Sequence, residues 1–267
     1  MVFDFPRRAT GDEWMDDFDI TDVRLLRALI ELPRLNRLLG GYRPVRIALS
    51  GFLRTADGPV EVLDIGTGIG DLPVRMVRWA ESAGRAMTVT ATDANPVTVQ
   101  AARSYTATRT AKIRCEVADA LALPYADASF DVVTASQVLH HFSDDEVLRV
   151  LREMIRVARR MVIVSDLHRN RLAWLGIHVV SRVLGCGPMI RADGPLSVRK
   201  GFVRADLEAL SVRSGLRGDA GSRSENRSEI PSENHSEMHS EMHSDIHSEI
   251  RWHPMFRWGL VARRLNP

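Results

Sequence analysis

Hydrophobic and polar positions along the middle of the chain follow two alternating periods. Short β-rich runs are separated by amphipathic runs with helical spacing. Strands are predicted at 60–65, 87–92, 113–117, 131–136 and 161–165, and helices at 71–82, 96–104 and 144–158. This alternation predicts right-handed crossovers and an α/β fold with a doubly wound, mostly parallel sheet. Ligands of such sheets bind beyond the carboxyl ends of the strands.

The pattern before the first strand is helical and predicts an N-terminal extension over 1–56. Residues 1–20 are polar and carry no period. An amphipathic helix begins near Thr21, Pro33 is expected to kink or split it, and a second helix is predicted at 45–53. These helices precede the sheet and can act as a lid or as an edge support.

The remainder is predicted as one domain at 57–222, interrupted by a cap insertion at about 167–201. The insertion contains an apolar helix followed by a loop, and another helix is predicted at 203–215. Residues 223–249 form a low-complexity repeat with serine at every fourth position, predicted to be a loop with no site. Residues 250–267 are expected to close the sheet as a hairpin.

Composition and charge narrow the class of protein. The chain has 267 residues with 45% hydrophobic and 26% charged residues, which is typical of a globular fold. A net charge of +2 does not indicate a nucleic-acid partner. Two cysteines form no disulfide framework, and no run indicates a signal peptide or a membrane span. The expectation is therefore a cytoplasmic protein.

The most informative segment is the glycine-rich turn after the first predicted strand. Gly66, Gly68 and Gly70 stand between that strand and a helix, where a tight turn lets the backbone approach a ligand closely. The spacing differs from the G-x-G-x-x-G fingerprint of dinucleotide-binding proteins. Asp64, which precedes the turn, favours a cationic ligand over a pyrophosphate.

Carboxylates also follow the next two strands. Asp93 ends the second strand, where it can accept two hydrogen bonds from a ribose diol. Asp119 and Ala120 follow the third strand and are placed to meet an adenine edge. Asp93 can instead cap a helix, and Asp119 can be an ordinary turn residue.

Three segments, DIGTGIGD, TATDAN and ADALALPYADASFDVVTASQVLHHF, resemble class I S-adenosylmethionine-dependent methyltransferases. The resemblance covers residues 60–166 and is greatest to the ubiquinone/menaquinone-biosynthesis-like branch. It implies a Rossmann-like sheet of seven strands and S-adenosyl-L-methionine as the cofactor. The cofactor-binding residues that it implies are Asp64, Gly66, Thr67, Gly68, Gly70, Asp93, Ala94, Asn95, Asp119, Ala120, Ser136 and Gln137.

The candidate catalytic residues follow the fourth and fifth strands. His140 and His141 can take a proton near neutral pH, and Asp166 also faces the expected pocket. Since neighbouring side chains diverge, one histidine is expected to point elsewhere, and His141 is favoured as the base. Either histidine can instead pack in the core, and no metal site is predicted.

The resemblance implies a small-molecule acceptor, most simply a phenolic oxygen of a polyketide- or quinone-like compound. C-methylation of a quinone precursor is an alternative, and a cofactor-binding module without catalysis is another. Methylation of nucleic acid is disfavoured, because SQVLHH stands after the fourth strand in place of an N/D-P-P-Y-type motif. Arg169, Arg171 and Arg191 could neutralise an acidic acceptor or be ordinary solvated charges.

Overall fold

The computed structural model describes residues 3–218 and 246–264, which contain a sheet of eight strands. The strands are β1 (Val60–Ile65), β2 (Met87–Asp93), β3 (Ile113–Val117), β4 (Phe130–Ser136), β5 (Ala158–Leu167), β6 (Arg217–Gly218), β7 (Ile246–His253) and β8 (Arg257–Arg264). Their order is β3-β2-β1-β4-β5-β8-β7-β6. Strands β1 to β5 are parallel, and β8 is antiparallel to both β5 and β7. The predicted mostly parallel, doubly wound sheet is confirmed, with two-residue β6 added at its edge.

Helices cover both faces of this sheet, as the alternating pattern predicted. They are α1 (Val23–Leu38), α2 (Arg43–Thr55), α3 (Asp71–Ser82), α4 (Pro96–Ala107), α5 (Asp144–Val157), α6 (Arg171–Val183), α7 (Pro188–Lys200) and α8 (Arg204–Arg213). Helices α2 and α3 pack their apolar residues on one face of the central strands, and α5 and α8 pack on the other. The central strands are buried on both faces, so they consist of nearly continuous apolar runs.

Two predictions for the helical parts were wrong. Helix α1 continues through Pro33 instead of splitting there. Leu29 and Leu35, on either side of the proline, are both buried, so packing outweighs the backbone hydrogen bond that proline removes. The segment predicted as a loop within the cap insertion is helix α7, which begins at Pro188, a favoured first helical residue. Its buried apolar side chains are Met189, Ile190 and Val198.

The last segment of the chain returns to the sheet earlier than expected. Strand β7 begins at Ile246, so residues 246–249 belong to the sheet and not to the predicted repeat loop. Ile246 is buried, and its pairing with Arg264 on β8 extends the ladder of backbone hydrogen bonds. The rest of the repeat, 223–245, lies outside the described residues. Across residues 3–218 and 246–264, no helix is long and apolar enough to cross a bilayer.

Candidate active site

A cavity of about 980 Å³ opens at the carboxyl ends of β1, β2, β4 and β5. Its floor is the sheet edge, and its roof comes from helices α1, α6 and α7 and from the N-terminal segment around residues 12–18. Since ligands of doubly wound sheets bind at this edge, the cavity is the candidate active site. The N-terminal segment and the cap insertion therefore act as its cover.

The cavity brings together most of the residues predicted from the sequence. Thirteen of the cofactor-binding and histidine candidates contribute to its lining, drawn from the carboxyl ends of four strands. They are Asp64, Gly66, Thr67, Gly68, Asp93, Ala94, Asn95, Asp119, Ala120, Ser136 and Gln137 together with His140, and His141 lies beside them in the same wall. Gly70 and Asp166 do not line the cavity, so a direct contact of either residue with a bound molecule stays a prediction.

The glycine turn after β1 has a left-handed backbone at all three glycines. Gly66, Gly68 and Gly70 have φ values of 63°, 56° and 82°. A Cβ at Gly66 would lie 2.2 Å from Val138, whereas a Cβ at Gly68 would have no neighbour closer than 4.0 Å. Gly66 is thus required by packing, and Gly68 leaves open space for a ligand.

Gly70 has a structural role in helix packing, and its predicted contact with the cofactor stays a prediction. It is the N-cap of α3, and a Cβ there would lie 2.8 Å from Cγ2 of Thr106 on α4. The glycine therefore lets α3 and α4 approach each other. Its position in the motif is explained by helix packing.

Gly70→Ala should destabilise the protein more than a comparable glycine substitution elsewhere. Gly84 is a matched control, because its φ of 69° is also positive but a Cβ there would meet nothing within 4 Å. The difference between the two alanine variants isolates the contact with Thr106, for which we expect about 1–3 kcal/mol. Urea unfolding of both variants measures it, and equal losses would contradict the packing role.

Asp64 is a buried carboxyl group at the carboxyl end of β1. It is 2% exposed, and its Oδ1 accepts a hydrogen bond of 2.6 Å from the Thr134 hydroxyl. Burial raises the pKa of Asp64 to about 7, although the Thr134 hydroxyl opposes this shift. The site therefore holds a carboxyl group that ionises near neutral pH and that a cationic ligand would favour in its charged form.

The raised pKa of Asp64 predicts a dependence of stability on pH. Its folded-state pKa of about 7 lies above the value of about 3.9 expected after unfolding, so the folded chain holds this proton more tightly. The contribution of Asp64 to stability is therefore present below about pH 4 and is lost as the pH rises to about 7. Asp64→Asn should gain stability relative to the wild type between pH 5 and pH 8 in urea unfolding. A constant difference would contradict the assignment.

Asp93 lies at the end of β2 and faces the cavity. Its Oδ2 accepts a hydrogen bond of 3.1 Å from the Gly68 amide, and its Oδ1 accepts one of 3.1 Å from the Asn95 amide. Burial raises the pKa of this carboxyl group. Each oxygen keeps one lone pair, so the group can still accept hydrogen bonds from a ligand diol while it holds the glycine turn.

Asn95 combines a structural role with a free donor. Its Oδ1 caps α4 by accepting a hydrogen bond of 2.9 Å from the Val97 amide. Its Nδ2 is buried in the cavity wall and has no hydrogen-bond partner in the described part of the chain. A buried amide without a partner is costly, so this donor is suited to a polar ligand.

Asp119 and Gln137 border the cavity with constrained backbones. Asp119 is exposed, and its Oδ1 accepts a hydrogen bond of 2.8 Å from the Leu121 amide, so the alternative turn role is present as well. Gln137 has a φ of 59°, and its amide donates a 2.7 Å hydrogen bond to the Ser165 carbonyl. This strained residue directs the chain from β4 toward the two histidines.

His140 is held by a buried carboxylate. Its Nδ1 lies 2.7 Å from Oδ1 of Asp166, and both side chains are almost fully buried. Although burial alone raises the pKa of Asp166, the neighbouring His140 ring brings it below the ordinary value. An ionised Asp166 accepts the proton of Nδ1, which leaves Nε2 as the basic nitrogen. Asp166 is therefore placed to position His140, and a catalytic role for Asp166 itself stays a prediction.

His141 is bound by the N-terminal segment. Its Nδ1 lies 2.7 Å from Oδ1 of Asp16, close enough for an ion pair but without hydrogen-bond alignment, and 3.9 Å from Glu13. Burial lowers the pKa of His141, but Asp16 and Glu13 outweigh this effect and raise it overall. The Lys200 ammonium lies 3.4 Å from Glu13 and 3.3 Å from Asp16, so helix α7 joins the same cluster.

The expectation that one histidine points away from the pocket was wrong. The ring centroids of His140 and His141 are 4.2 Å apart, and both rings line the cavity. Residues 139–141 form a 3-10 turn, and although adjacent residues of such a turn are rotated by about 120°, the two imidazole rings lie against each other. The ligand atoms of Glu13, His140 and His141 lie within 4.8 Å of one another, but Lys200 already supplies positive charge there. The absence of a metal stays a prediction.

The arginines proposed to neutralise an acidic acceptor do not line the cavity. Arg169 is buried and structural: its Nη1 pairs with Asp206 at 2.5 Å, and its Nε donates to the Phe5 carbonyl at 2.8 Å. Arg171 and Arg191 lie in the cap helices α6 and its neighbour α7. Another arginine, Arg257, lines the cavity instead.

Comparison with known proteins agrees with this geometry. Residues 62–161 match the methyltransferase domain family. The chain is 36% identical over 102 residues to demethylmenaquinone methyltransferase of Deinococcus radiodurans, covering 38% of this chain and 40% of the relative. It is 38% identical over 113 residues to 27-O-demethylrifamycin SV methyltransferase of Amycolatopsis mediterranei (42% and 39% covered), and 34% identical over 117 residues to norajmaline N-methyltransferase of Rauvolfia serpentina (42% and 38%). The chain spans less than half the length of these relatives.

The similarity in fold extends over a longer part of the chain than the similarity in sequence. A methyltransferase structure from Aquifex aeolicus superimposes with a TM-score of 0.57, covering 89% of this chain and 97% of the other at 16% identity. Residues 62–161 thus form a methyltransferase domain within this fold, as the sequence motifs indicated. S-adenosylmethionine is its cofactor, and the open face of Gly68, the Asp93 carboxylate and the unpartnered Asn95 amide fit this molecule.

Proposed function

We propose that the protein methylates a phenolic oxygen of a polyketide- or quinone-like small molecule. The observation that carries the proposal is the buried pair of Asp166 and His140 at the cavity, with Nδ1 of the ring 2.7 Å from the carboxylate. This pair lies at the ends of β4 and β5, beside the half of the cavity formed by β1 and β2. An acceptor on that side would have a base within reach and the cofactor as its neighbour.

The proton of the acceptor explains why a base is useful. When bound, S-adenosylmethionine supplies an electrophilic methyl group. A phenol with a pKa near 10 costs about 4 kcal/mol to ionise at pH 7. His140 removes this proton through Nε2, and Asp166 stabilises the resulting imidazolium. The cap helices and the N-terminal segment exclude water and align the acceptor, which lowers the barrier further.

The geometry moves our proposal for the base from His141 to His140. His141 is paired with Asp16 and Glu13 of the N-terminal segment, which raise its pKa and engage the ring. We propose that His141 instead holds the N-terminal segment in place over the cavity and contacts the acceptor. Nδ1 of His140 is held by Asp166, whereas its Nε2 lies 4.0 Å from Glu13, beyond hydrogen-bond distance, and can accept a proton from an acceptor.

Two alternatives differ from this proposal: methyl transfer to a carbon atom, and cofactor binding without any transfer. C-methylation of a quinone precursor needs the same phenolate, so a base serves both reactions. A binding module without catalysis would need no histidine held by a buried carboxylate in its cavity. The similarity to an N-methyltransferase makes amines a further class of acceptor to include.

The experiment is incubation of the protein with methyl-labelled S-adenosylmethionine and a panel of phenols, quinols and aromatic amines. Mass spectrometry detects the gain of one labelled methyl group, and NMR of the product identifies the methylated atom. We expect an aryl methyl ether. A product methylated at carbon or nitrogen would replace the oxygen assignment, and cofactor binding without transfer to any acceptor would favour the binding module.

A further inference from the structure

Arg257 is a buried cation of the cavity wall with no partner among the described residues. It is the first residue of β8, is 5% exposed and lines the cavity. Within residues 3–218 and 246–264, its guanidinium makes no hydrogen bond or ion pair, and its Nε is buried without an acceptor. A buried charge without a partner lowers the stability of the fold, so the position of Arg257 in the cavity wall indicates that a ligand supplies the partner.

Among the described residues, the neighbours of Arg257 form no ion pair with it. Asp166 on β5 stabilises its charge, but Oδ1 of Asp166 already lies 2.7 Å from Nδ1 of His140 and accepts a 2.7 Å hydrogen bond from the Leu167 amide, and its Oδ2 accepts one of 3.3 Å from the His140 amide. His253, its register partner on β7, has its pKa lowered by burial and by nearby arginines and adds no negative charge. Burial lowers the pKa of Arg257 to about 10, so the side chain stays cationic at neutral pH.

The position of Arg257 assigns it to the acceptor half of the cavity. Its register partner on β5 is Leu167, the last residue of that strand, so Arg257 lies at the same edge as His140. Three strand spacings separate β8 from β1, and at about 4.8 Å each this places Arg257 roughly 14 Å across the sheet from the glycine turn. Asp93 on β2 is one strand farther away.

We propose that Arg257 binds an anionic oxygen group of the methyl acceptor, such as a carboxylate. This inference rests on the proposed function, since it assigns the β5–β8 side of the cavity to the acceptor. It names a feature of the substrate, a phenolic or quinone-like molecule that also carries a negative charge. A planar guanidinium can hold a carboxylate through two parallel hydrogen bonds, which would fix the orientation of the acceptor as well as its charge.

The test compares acids with their neutral esters. The S-adenosylhomocysteine complexes of the wild type and of Arg257→Met are titrated calorimetrically with three pairs of probes: hydroxybenzoic, hydroxynaphthoic and hydroxyanthraquinone carboxylic acids and their methyl esters. The matched control is Arg263→Met, an exposed arginine on the same strand. Arg257→Lys keeps the charge but loses the planar fork, so it should retain part of the preference.

The wild type and Arg263→Met should bind at least one acid about 10- to 150-fold more tightly than its ester, and Arg257→Met should lose this preference. Affinity for S-adenosylmethionine should be unchanged in every variant. The proposal is overturned if the wild type prefers no acid over its ester, or if Arg257→Met keeps the preference. It is also overturned if Arg257→Met binds the cofactor more weakly, because the guanidinium would then hold the cofactor carboxylate. The readout is binding, so a lack of methyl transfer would count against the proposed reaction alone.

The variant is expected to fold, because methionine replaces a buried unpaired charge with an apolar chain of similar length. Its melting temperature should equal or exceed that of the wild type. A large loss of stability would show that Arg257 stabilises the fold through contacts within the protein and would also overturn the proposal.

Discussion

His140→Ala should lower the rate of methyl transfer by about 10²- to 10⁴-fold, the usual cost of removing a general base. The affinity for S-adenosylmethionine should stay near that of the wild type, because His140 lies at the β4–β5 side of the cavity and Asp93 at the β2 side. Raising the pH should partly restore the rate, since the phenol then ionises without help. Steady-state kinetics against pH measure both effects.

His141→Ala is the matched control, because the two rings are adjacent and line the same cavity. We expect a smaller loss of rate, through a looser N-terminal segment, without rescue at high pH. If His141→Ala shows the large loss and the rescue instead, the base is the residue that the sequence favoured. Asp166→Asn should lower the rate and shift the pH profile, because the imidazolium loses its negatively charged partner.

Asp93→Ala should weaken the binding of S-adenosylmethionine by about 10- to 150-fold. A hydrogen bond to a charged group contributes about 1.5–3 kcal/mol, and the lost carboxylate also releases the Gly68 amide from its acceptor. Asp93→Asn keeps one acceptor oxygen and should lose less. Calorimetric titration of both variants, with exposed Asp57→Ala as a control, measures the change. Unchanged affinity in Asp93→Ala would remove Asp93 from the cofactor site.

Local patterns explain how much of the fold and cofactor side could be predicted. Asp64, the glycine turn and Asp93 are separated by one strand–turn–helix–strand unit, and a parallel sheet brings the ends of adjacent strands to one edge. The strand pattern is strong because central strands are buried on both faces. The motif alone could not show that Gly68 and Gly70 have different roles, because the close approach of Gly70 to Thr106 is a contact between two helices that are distant in sequence.

The acceptor side depends on contacts between distant segments, and these leave little trace in the pattern. Glu13 and Asp16 reach His141 and Lys200 across more than a hundred residues, although the sequence around them shows only a polar run without a period. Helix α7 was missed because Gly194 and Pro195 interrupt its helical signal, which tertiary packing overrides. Arg257 lies in a closing strand, where the sequence pattern does not distinguish a buried charged residue from an exposed one.

The most direct test of the account is a crystal structure of the protein with S-adenosylhomocysteine. We expect the ribose hydroxyls on Asp93, the homocysteine part over the Gly66–Gly68 turn, and the space between the sulfur, His140 and Arg257 left for the acceptor. Ribose hydroxyls away from Asp93, or a homocysteine carboxylate bound to Arg257, would contradict the division of the cavity on which the proposed reaction depends.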